Sequence, residues 1–141
     1  MTTTARSAIA GLAPFFIVRD VPAALAFYRD RLGFVVDYQG PAPDDVFFGI
    51  VRRDGATILL TQVGVEPVPN YTRDVGKGWV RWDAFCDVPD PDALAAEFAA
   101  RGVPFFEPIE ASEKGDDGLR GFAVQDADGY TLYFGRPSRQ A

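Results

Sequence analysis

The chain repeats one pattern of helix caps, and this internal repeat restricts the possible folds more than any other feature. Asp20 and Asp90 each precede a proline and then a segment with apolar residues at helical spacing, so each is predicted to be a helix N-cap. Gly33 and Gly102 follow these segments, at the position where a helix C-terminus favours glycine. The second cap and glycine come about 70 residues after the first pair, which indicates two copies of one unit.

A turn followed by a β-forming segment recurs in the same way. Asp54-Gly55 and Asp128-Gly129 are turn signals, and each is followed by residues that favour strands. The order of elements in each copy is therefore βαβββ. We predict one domain over residues 1–141, with module one at about 13–62, a connector at 63–78 that is a lid or a linker, and module two at about 79–135.

The predicted elements define an α+β fold. In module one the predicted strands are 15–18, 34–38, 46–51 and 56–62, with a helix over 21–31 and a loop over 40–45. In module two they are 79–86, 103–106, 121–125 and 130–134, with a helix between Asp90 and Gly102 and a charged loop over 110–118. The tandem βαβββ modules should form a curled mixed sheet around a cavity, with one helix outside each module.

Composition limits the chemistry that this fold can support. Among the 141 residues there is no histidine, which excludes imidazole metal ligands and catalysis by serine–histidine or cysteine–histidine pairs. The one cysteine, Cys86, cannot form an intrachain disulfide and is expected to be a small buried apolar residue. The net charge of −6 argues against a nucleic-acid partner.

The sequence also predicts no membrane partner. No apolar run approaches the roughly 20 residues of a membrane-spanning helix. The first eight residues are rich in threonine and lack the apolar centre of a signal peptide, so a cytoplasmic location is the default expectation.

Two phrases, residues 20–34 around the first helix and residues 126–132 around the last turn, resemble the vicinal oxygen chelate superfamily. This superfamily contains glyoxalase I, extradiol dioxygenases, and fosfomycin- and bleomycin-resistance proteins, and the resemblance covers about residues 13–135. Its enzymes hold a divalent metal with His, Gln or Glu side chains. The matching positions here are Ala13, Leu59, Asp83 and Tyr133, which make a poor site for a hard cation.

The resemblance therefore points to the branch without a metal, similar to bleomycin-resistance proteins. It implies a homodimer with an acidic, aromatic groove that binds a small cationic or aromatic molecule without transforming it. No cofactor, metal or catalytic residue is predicted on this basis. The alternative is an isomerase, lyase or dioxygenase of the same superfamily with an atypical site around Asp83 and Tyr133. A scaffold or antidote-type protein partner has no positive support in the sequence.

Nine residues are candidates for ligand contact. Alternation predicts that Tyr133 faces the cavity with Thr131, whereas Leu132 and Phe134 face the helix. Asp83 either anchors a cationic ligand or is paired with Arg81 or with backbone groups. The full set consists of Tyr133, Asp83, Trp79, Trp82, Phe85, Phe15, Phe48, Phe122 and Tyr71. A strand register that differs by one residue would turn a candidate ring to the helix side.

Overall fold

The computed structural model describes residues 5–73, 82–110 and 118–137. Module one contains β1 (Phe15–Ile17), α1 (Val21–Asp30), β2 (Val35–Ala42), β3 (Asp45–Arg53) and β4 (Ala56–Thr61). A short helix, α2 (Asn70–Arg73), follows in the connector. Module two contains β5 (Ala84–Asp87), α3 (Pro91–Ala100), β6 (Glu107–Glu110), β7 (Leu119–Gln125) and β8 (Thr131–Pro137).

Each module forms a four-stranded mixed sheet, so the predicted α+β fold of tandem βαβββ units is confirmed. The strand orders are β1-β4-β3-β2 and β5-β8-β7-β6, with one parallel pair in each sheet, β1 with β4 and β5 with β8. The two sheets also share a register, because Phe15 lies opposite Leu59 in module one and Phe85 lies opposite Tyr133 in module two. The repeat thus extends to individual residue positions.

The helices begin where the sequence predicts. The carboxylates of Asp20 and Asp90 accept hydrogen bonds from the backbone N–H groups of Ala23 and Ala93, at 3.2 and 3.1 Å. Gly33 follows α1 with a φ of 72° and Gly102 follows α3 with a φ of 79°. Glycine adopts these left-handed angles without steric cost, which explains why both helices end there.

The helix faces of the two modules share one buried apolar core. In module two the Phe98 ring of α3 packs against Phe122 and Phe134 of the sheet, with ring centroids 5.8 and 5.3 Å apart. The modules meet where Phe16 stacks on Tyr130 at 4.2 Å. All five rings belong to one buried cluster.

A buried hydrogen bond and an ion pair also connect the modules. The Tyr28 hydroxyl of α1 donates to Asp126 Oδ2 at 2.7 Å. The Arg53 guanidinium donates twice to the Glu97 carboxylate of α3, at 2.8 and 2.9 Å. The contacts that join the modules therefore involve helices, turns and the helix sides of the sheets.

Several predicted segments differ from the structure. The strand predicted over 79–86 is shorter, because β5 starts at Ala84 and residues 82–83 precede it, whereas 79–81 lie outside the described residues. The predicted loop over 40–45 is mostly strand, because β2 continues to Ala42 and pairs directly with Asp45 of β3. The predicted strand over 103–106 lies too early, since β6 starts at Glu107. The Val103 N–H instead closes the end of α3 by donating to Phe98 O, and Phe105 packs on Phe122 in the core. Most of the predicted charged loop over 110–118 lies outside the described residues.

The last turn is wider than the two-residue turn that Asp128-Gly129 suggested. It spans 126–130, and Asp126 organises it, because its Oδ1 accepts the N–H groups of Asp128 and Tyr130, both at 2.9 Å. Gly129 has a φ of 90°, as expected for its place in the turn. No helix in the described part of the chain is long and apolar enough to cross a membrane.

Candidate ligand-binding site

Each sheet has a helix face, which packs on its helix, and an opposite face that we call the open face. A Cβ on Gly49 would meet Leu25 of α1 at 2.8 Å, so Gly49 points to the helix and its neighbour Phe48 points to the open face. In module two Phe134 packs on Phe98 of α3, which assigns Tyr133 to the open face. The alternation predicted for Tyr133 and Phe134 is therefore present.

A row of four residues crosses the open face of module two. The strand pairings place Phe85, Tyr133, Ala123 and Glu107 side by side on β5, β8, β7 and β6. Ala123 is small and fully buried, so β7 places no large side chain between the Tyr133 ring and Glu107. The row thus offers aromatic surface at one end and a carboxylate at the other.

The Tyr133 ring lies flat against the sheet and is covered by Trp82. A Cβ on Gly121 would approach the Tyr133 hydroxyl to 2.7 Å, and one on Gly135 would also contact the ring, so two glycines make room for it. Trp82 stacks on Tyr133 with centroids 4.0 Å apart and planes 25° apart. Tyr133 is consequently only 7% exposed, and a ligand would meet Trp82 first.

Glu107 holds the covering ring in place. The Trp82 indole N–H donates to Glu107 Oε1 at 3.1 Å. Phe85 lies beside this stack, with its ring 5.5 Å from Tyr133 and 6.0 Å from Trp82, and is 46% exposed. We call Trp82, Phe85, Tyr133 and Glu107 the aromatic platform.

Asp83 uses both carboxylate oxygens on backbone groups. Oδ1 accepts the N–H of Asn70 at the start of α2, and Oδ2 accepts the N–H of Thr131 at the start of β8, both at 2.8 Å. Asp83 thus ties the connector to module two. The two alternatives weighed for this residue were a ligand anchor and a paired carboxylate, and these contacts favour the second.

The open face of module one is aromatic as well. Phe15, Leu59, Ile50 and Tyr38 form a row equivalent to that of module two. Phe48 lies between the ends of this row, with its ring 5.9 Å from Phe15 and 6.0 Å from Tyr38. Phe15 is 59% and Tyr38 is 47% exposed, which is unusual for large rings.

The remaining candidates have mixed outcomes. Phe122 was predicted to line the cavity, but it pairs with Phe134 across the ladder and is fully buried on the helix face, so this placement was wrong. The Tyr71 ring of α2 lies edge-on to Phe106 at 5.0 Å. Trp79 lies outside the described residues. A ligand-binding role for the other candidates stays a prediction.

Sequence reasoning missed Glu107 and Tyr38. Glu107 was missed because the strand was predicted over 103–106 and ended before it. Alternation along the strand therefore assigned Glu107 to neither side of the sheet. Tyr38 was assigned to a strand, but its exposure on the open face depends on the irregular β2–β3 register between Val36 and Tyr38. The row of equivalent positions in the two modules is the signal that could have identified both.

The residues at the superfamily's metal positions do not fit a divalent cation. Ala13 and Leu59 carry no donor atom, and both oxygens of Asp83 already accept backbone N–H groups. The Tyr133 hydroxyl lies against Gly121 beneath Trp82. Within 5–73, 82–110 and 118–137, no three Asp, Glu or Cys side chains are grouped so as to hold a metal ion.

The sequence predicted a cavity lined by the open faces, but the cavity between the modules in a single chain is lined mainly by their helix sides. A cleft of about 460 Å³ lies between the modules, but its walls include Phe98 of α3 and, from the helix sides of the sheets, Ile58 and Phe134. The two open faces are instead exposed to solvent. The physical reason is that the modules pack through their helix faces, as the Phe16–Tyr130 contact shows.

A family profile described as the glyoxalase/bleomycin resistance protein/dioxygenase superfamily matches residues 9–134. The chain therefore belongs to this superfamily, in agreement with the resemblance of its helix and turn phrases. No curated protein sequence matches the chain.

Solved structures of this fold are similar over most of their length. TioX from Micromonospora sp. ML1 is 20% identical with a TM-score of 0.68, covering 90% of this chain and 98% of its own. A bleomycin-binding protein from bleomycin-producing Streptomyces verticillus, complexed with copper(II)-bleomycin, is 28% identical with a TM-score of 0.65, covering 93% and 98%. A glyoxalase/bleomycin resistance protein/dioxygenase from Alicyclobacillus acidocaldarius is 18% identical with a TM-score of 0.69, covering 90% of both chains.

Proposed function

We propose that this protein is a homodimer that binds a small aromatic cation on its open faces and releases it unchanged. The observation that carries the proposal is the aromatic platform, in which stacked rings lie beside the Glu107 carboxylate. Aromatic faces attract cations, by about 0.5–2 kcal/mol for one contact, and a neighbouring carboxylate adds a charged hydrogen-bond acceptor. A net charge of −6 favours the same ligand sign.

The similarity to bleomycin-binding protein supports the same class of ligand. That protein was solved with copper(II)-bleomycin bound, and it shares 28% identity over nearly the whole fold. Bleomycin is therefore a suitable first probe for this chain, together with simpler aromatic cations.

A homodimer is favoured by the state of the open faces. Phe15, Tyr38 and Phe85 are each at least 46% exposed in a single chain, and exposed apolar surface of this kind is typical of interaction sites. Two copies that approach through these faces would enclose a ligand between aromatic walls. The helix faces are already covered within one chain and offer no equivalent surface.

The enzyme alternative has weaker support. A general base at Asp83 would need a free oxygen lone pair directed at substrate, whereas both oxygens accept backbone N–H groups at 2.8 Å. Tyr133 is covered by Trp82. No catalytic residue is therefore proposed.

Isothermal titration with bleomycin, with N-methylquinolinium and with uncharged quinoline tests the proposed function. We expect saturable binding of at least one cation and much weaker binding of quinoline. Glu107→Gln should weaken binding of the cation about tenfold, which corresponds to about 1.4 kcal/mol. Glu66→Gln is the matched control, since it makes the same charge change at an exposed residue that pairs with Arg19. No response to either cation would refute the proposal.

A further inference from the structure

Apart from Phe85, the cleft between the modules is not used by the function proposed above. Its volume of about 460 Å³ lies within the range of roughly 300–1,000 Å³ found for small-molecule pockets. The β3–β4 hairpin of module one forms one wall, and β5 with α3 of module two forms the other. We call it the junction cleft.

The inner surface of the junction cleft is apolar. Its deepest walls are aromatic and aliphatic side chains that belong to, or pack against, the shared core. These are Phe34, Ile58, Leu94, Phe98, Leu132 and Phe134. The cleft is open on one side, so a ligand that entered it could contact apolar atoms of these side chains that no protein atom covers.

The polar groups in the wall are already engaged or face solvent. The Arg53 guanidinium donates to the Glu97 carboxylate and, at 2.7 Å, to Leu32 O. The Thr57 hydroxyl accepts from Arg52 at 2.9 Å. The side chain of Asp54 is 91% exposed, so its charge is solvated at the mouth and disfavours an anionic ligand there.

The environment of Cys86 indicates that the same wall has low polarity. Its side chain lines the junction cleft, and burial raises the pKa of the thiol to about 11. The thiol is thus neutral near pH 7, as expected for surroundings of low polarity.

We propose that the junction cleft is a second binding site, which takes a small, uncharged and largely apolar molecule. Burial of apolar ligand surface, at about 25 cal/mol per Å², would drive the binding. The site overlaps the open faces only at Phe85, the one described candidate that lines both. It therefore goes beyond the proposed cation-binding function and does not depend on it.

The neutral fluorophore N-phenyl-1-naphthylamine is the probe for this site. We expect its fluorescence to rise saturably on titration with the wild-type protein. Ala56→Phe places a ring in the junction cleft and should weaken binding at least tenfold. Phe48→Ala removes a ring from the open face of module one and should leave binding of this probe unchanged.

The contrary outcomes are distinct from a failure of the proposed function. The junction-cleft proposal is wrong if the wild type shows no saturable binding of the neutral probe, whatever the cation titration gives. It is also wrong if Ala56→Phe, when folded, binds normally, or if Phe48→Ala abolishes binding, because the probe would then occupy an open face.

A second measurement in the wild type avoids reliance on a variant that fails to fold. Cys86 is the one cysteine of the chain, so its reaction with 4,4′-dithiodipyridine at pH 9 can be followed without ambiguity. Saturating N-phenyl-1-naphthylamine should slow this reaction at least threefold, whereas N-methylquinolinium should not. An unchanged rate with the neutral probe would contradict the proposal.

Discussion

At the scale of single residues, two carboxylates stabilise the fold through hydrogen bonds that the sequence alone does not show. Asp126 is buried and Asp83 is partly buried. Asp83 bonds to the backbone at Asn70 and Thr131, and Asp126 bonds to Tyr28 and to its own turn. Asp126 lies in the last-turn phrase that resembles the superfamily, and Asp83 lies at one of the superfamily's metal positions. Their hydrogen bonds indicate that they hold the chain in place.

Replacement of Asp83 should lower stability. Asp83→Ala leaves the N–H groups of Asn70 and Thr131 without their acceptors, and we expect a loss of about 1–3 kcal/mol in the free energy of unfolding. Urea denaturation measures this loss. Asp87→Asn, at an exposed residue of the adjoining strand β5, is the control and should change stability by less than about 0.5 kcal/mol. Equal stabilities of Asp83→Ala and wild type would contradict the structural role.

Asp126 should make stability depend on pH. Burial raises the pKa of Asp126 to about 6, although hydrogen bonds from the Tyr28 hydroxyl and the backbone N–H groups of Asp128 and Tyr130 act to lower it. Because the folded pKa lies above the unfolded value, this carboxyl favours the folded state most below about pH 4. The contribution is lost as the pH rises through about 6.

The comparison with Asp126→Asn isolates this effect. Between pH 4 and pH 7, the free energy of unfolding of the wild type should fall by up to about 3 kcal/mol relative to the variant, given about 1.36 kcal/mol for each pKa unit. Carboxylates such as Glu97, whose pKa is lowered by Arg53, act in the opposite direction but cancel in the comparison. Urea denaturation at several pH values measures the difference, and a constant difference would disprove the assignment.

At the scale of elements, the strand pair β7–β8 sets the form of the aromatic platform. Gly121 and Gly135 lie opposite each other in this pair, and the Tyr133 ring occupies the space that their side chains would fill. The flat Tyr133 ring then provides the surface on which Trp82 stacks. The platform therefore depends on two residues that carry no side chain.

Gly121→Ala should disturb this pair of strands. The added Cβ would lie 2.7 Å from the Gly135 Cα and would also clash with the Phe134 carbonyl oxygen, so we expect a loss of about 1–3 kcal/mol in stability. The near-ultraviolet circular dichroism of the Trp82–Tyr133 stack should change as well. Gly55→Ala is the control, because no atom lies within 4 Å of its added Cβ. A Gly121→Ala protein with wild-type stability and spectrum would contradict this account.

At the scale of the whole molecule, the direction in which the modules pack decides where binding surfaces lie. The helix faces share a core, so the exposed rings of both open faces point to solvent in one chain. Such a chain has a largely apolar cleft between its modules and two external aromatic surfaces. The proposed dimer would cover the external surfaces.

The proposed dimer predicts a specific effect of charge on the open face. Light scattering coupled to size-exclusion chromatography should give the wild-type protein a molar mass of twice that of the chain. Phe15→Glu places a carboxylate among the exposed rings of module one and should shift the protein toward the monomer. Val65→Glu, at an exposed residue after β4, is the control and should remain dimeric. A monomeric wild type, or a dimer that persists in Phe15→Glu, would contradict the arrangement.

The sequence by itself determined the features that depend on local interactions. Asp20 and Asp90 cap their helices and Gly33 and Gly102 end them, because each contact or backbone angle involves residues only a few positions apart. Alternation along one strand likewise assigned Tyr133 and Phe134 to opposite faces. The two modules followed from the repetition of these local signals, and the superfamily followed from the resemblance of residues 20–34 and 126–132 to its members.

Only the tertiary structure decided which strand neighbours and modules meet. Phe122 faces the helix side because it pairs with Phe134 of β8, and Glu107 belongs to the aromatic platform because it pairs with Ala123 of β7. In both cases the partner lies 12 or more positions away along the chain. Asp83 holds the connector to module two only because the fold brings the N–H groups of Asn70 and Thr131 to its carboxylate. The junction cleft and the exposed open faces arise from the packing of two modules, which no local sequence pattern encodes.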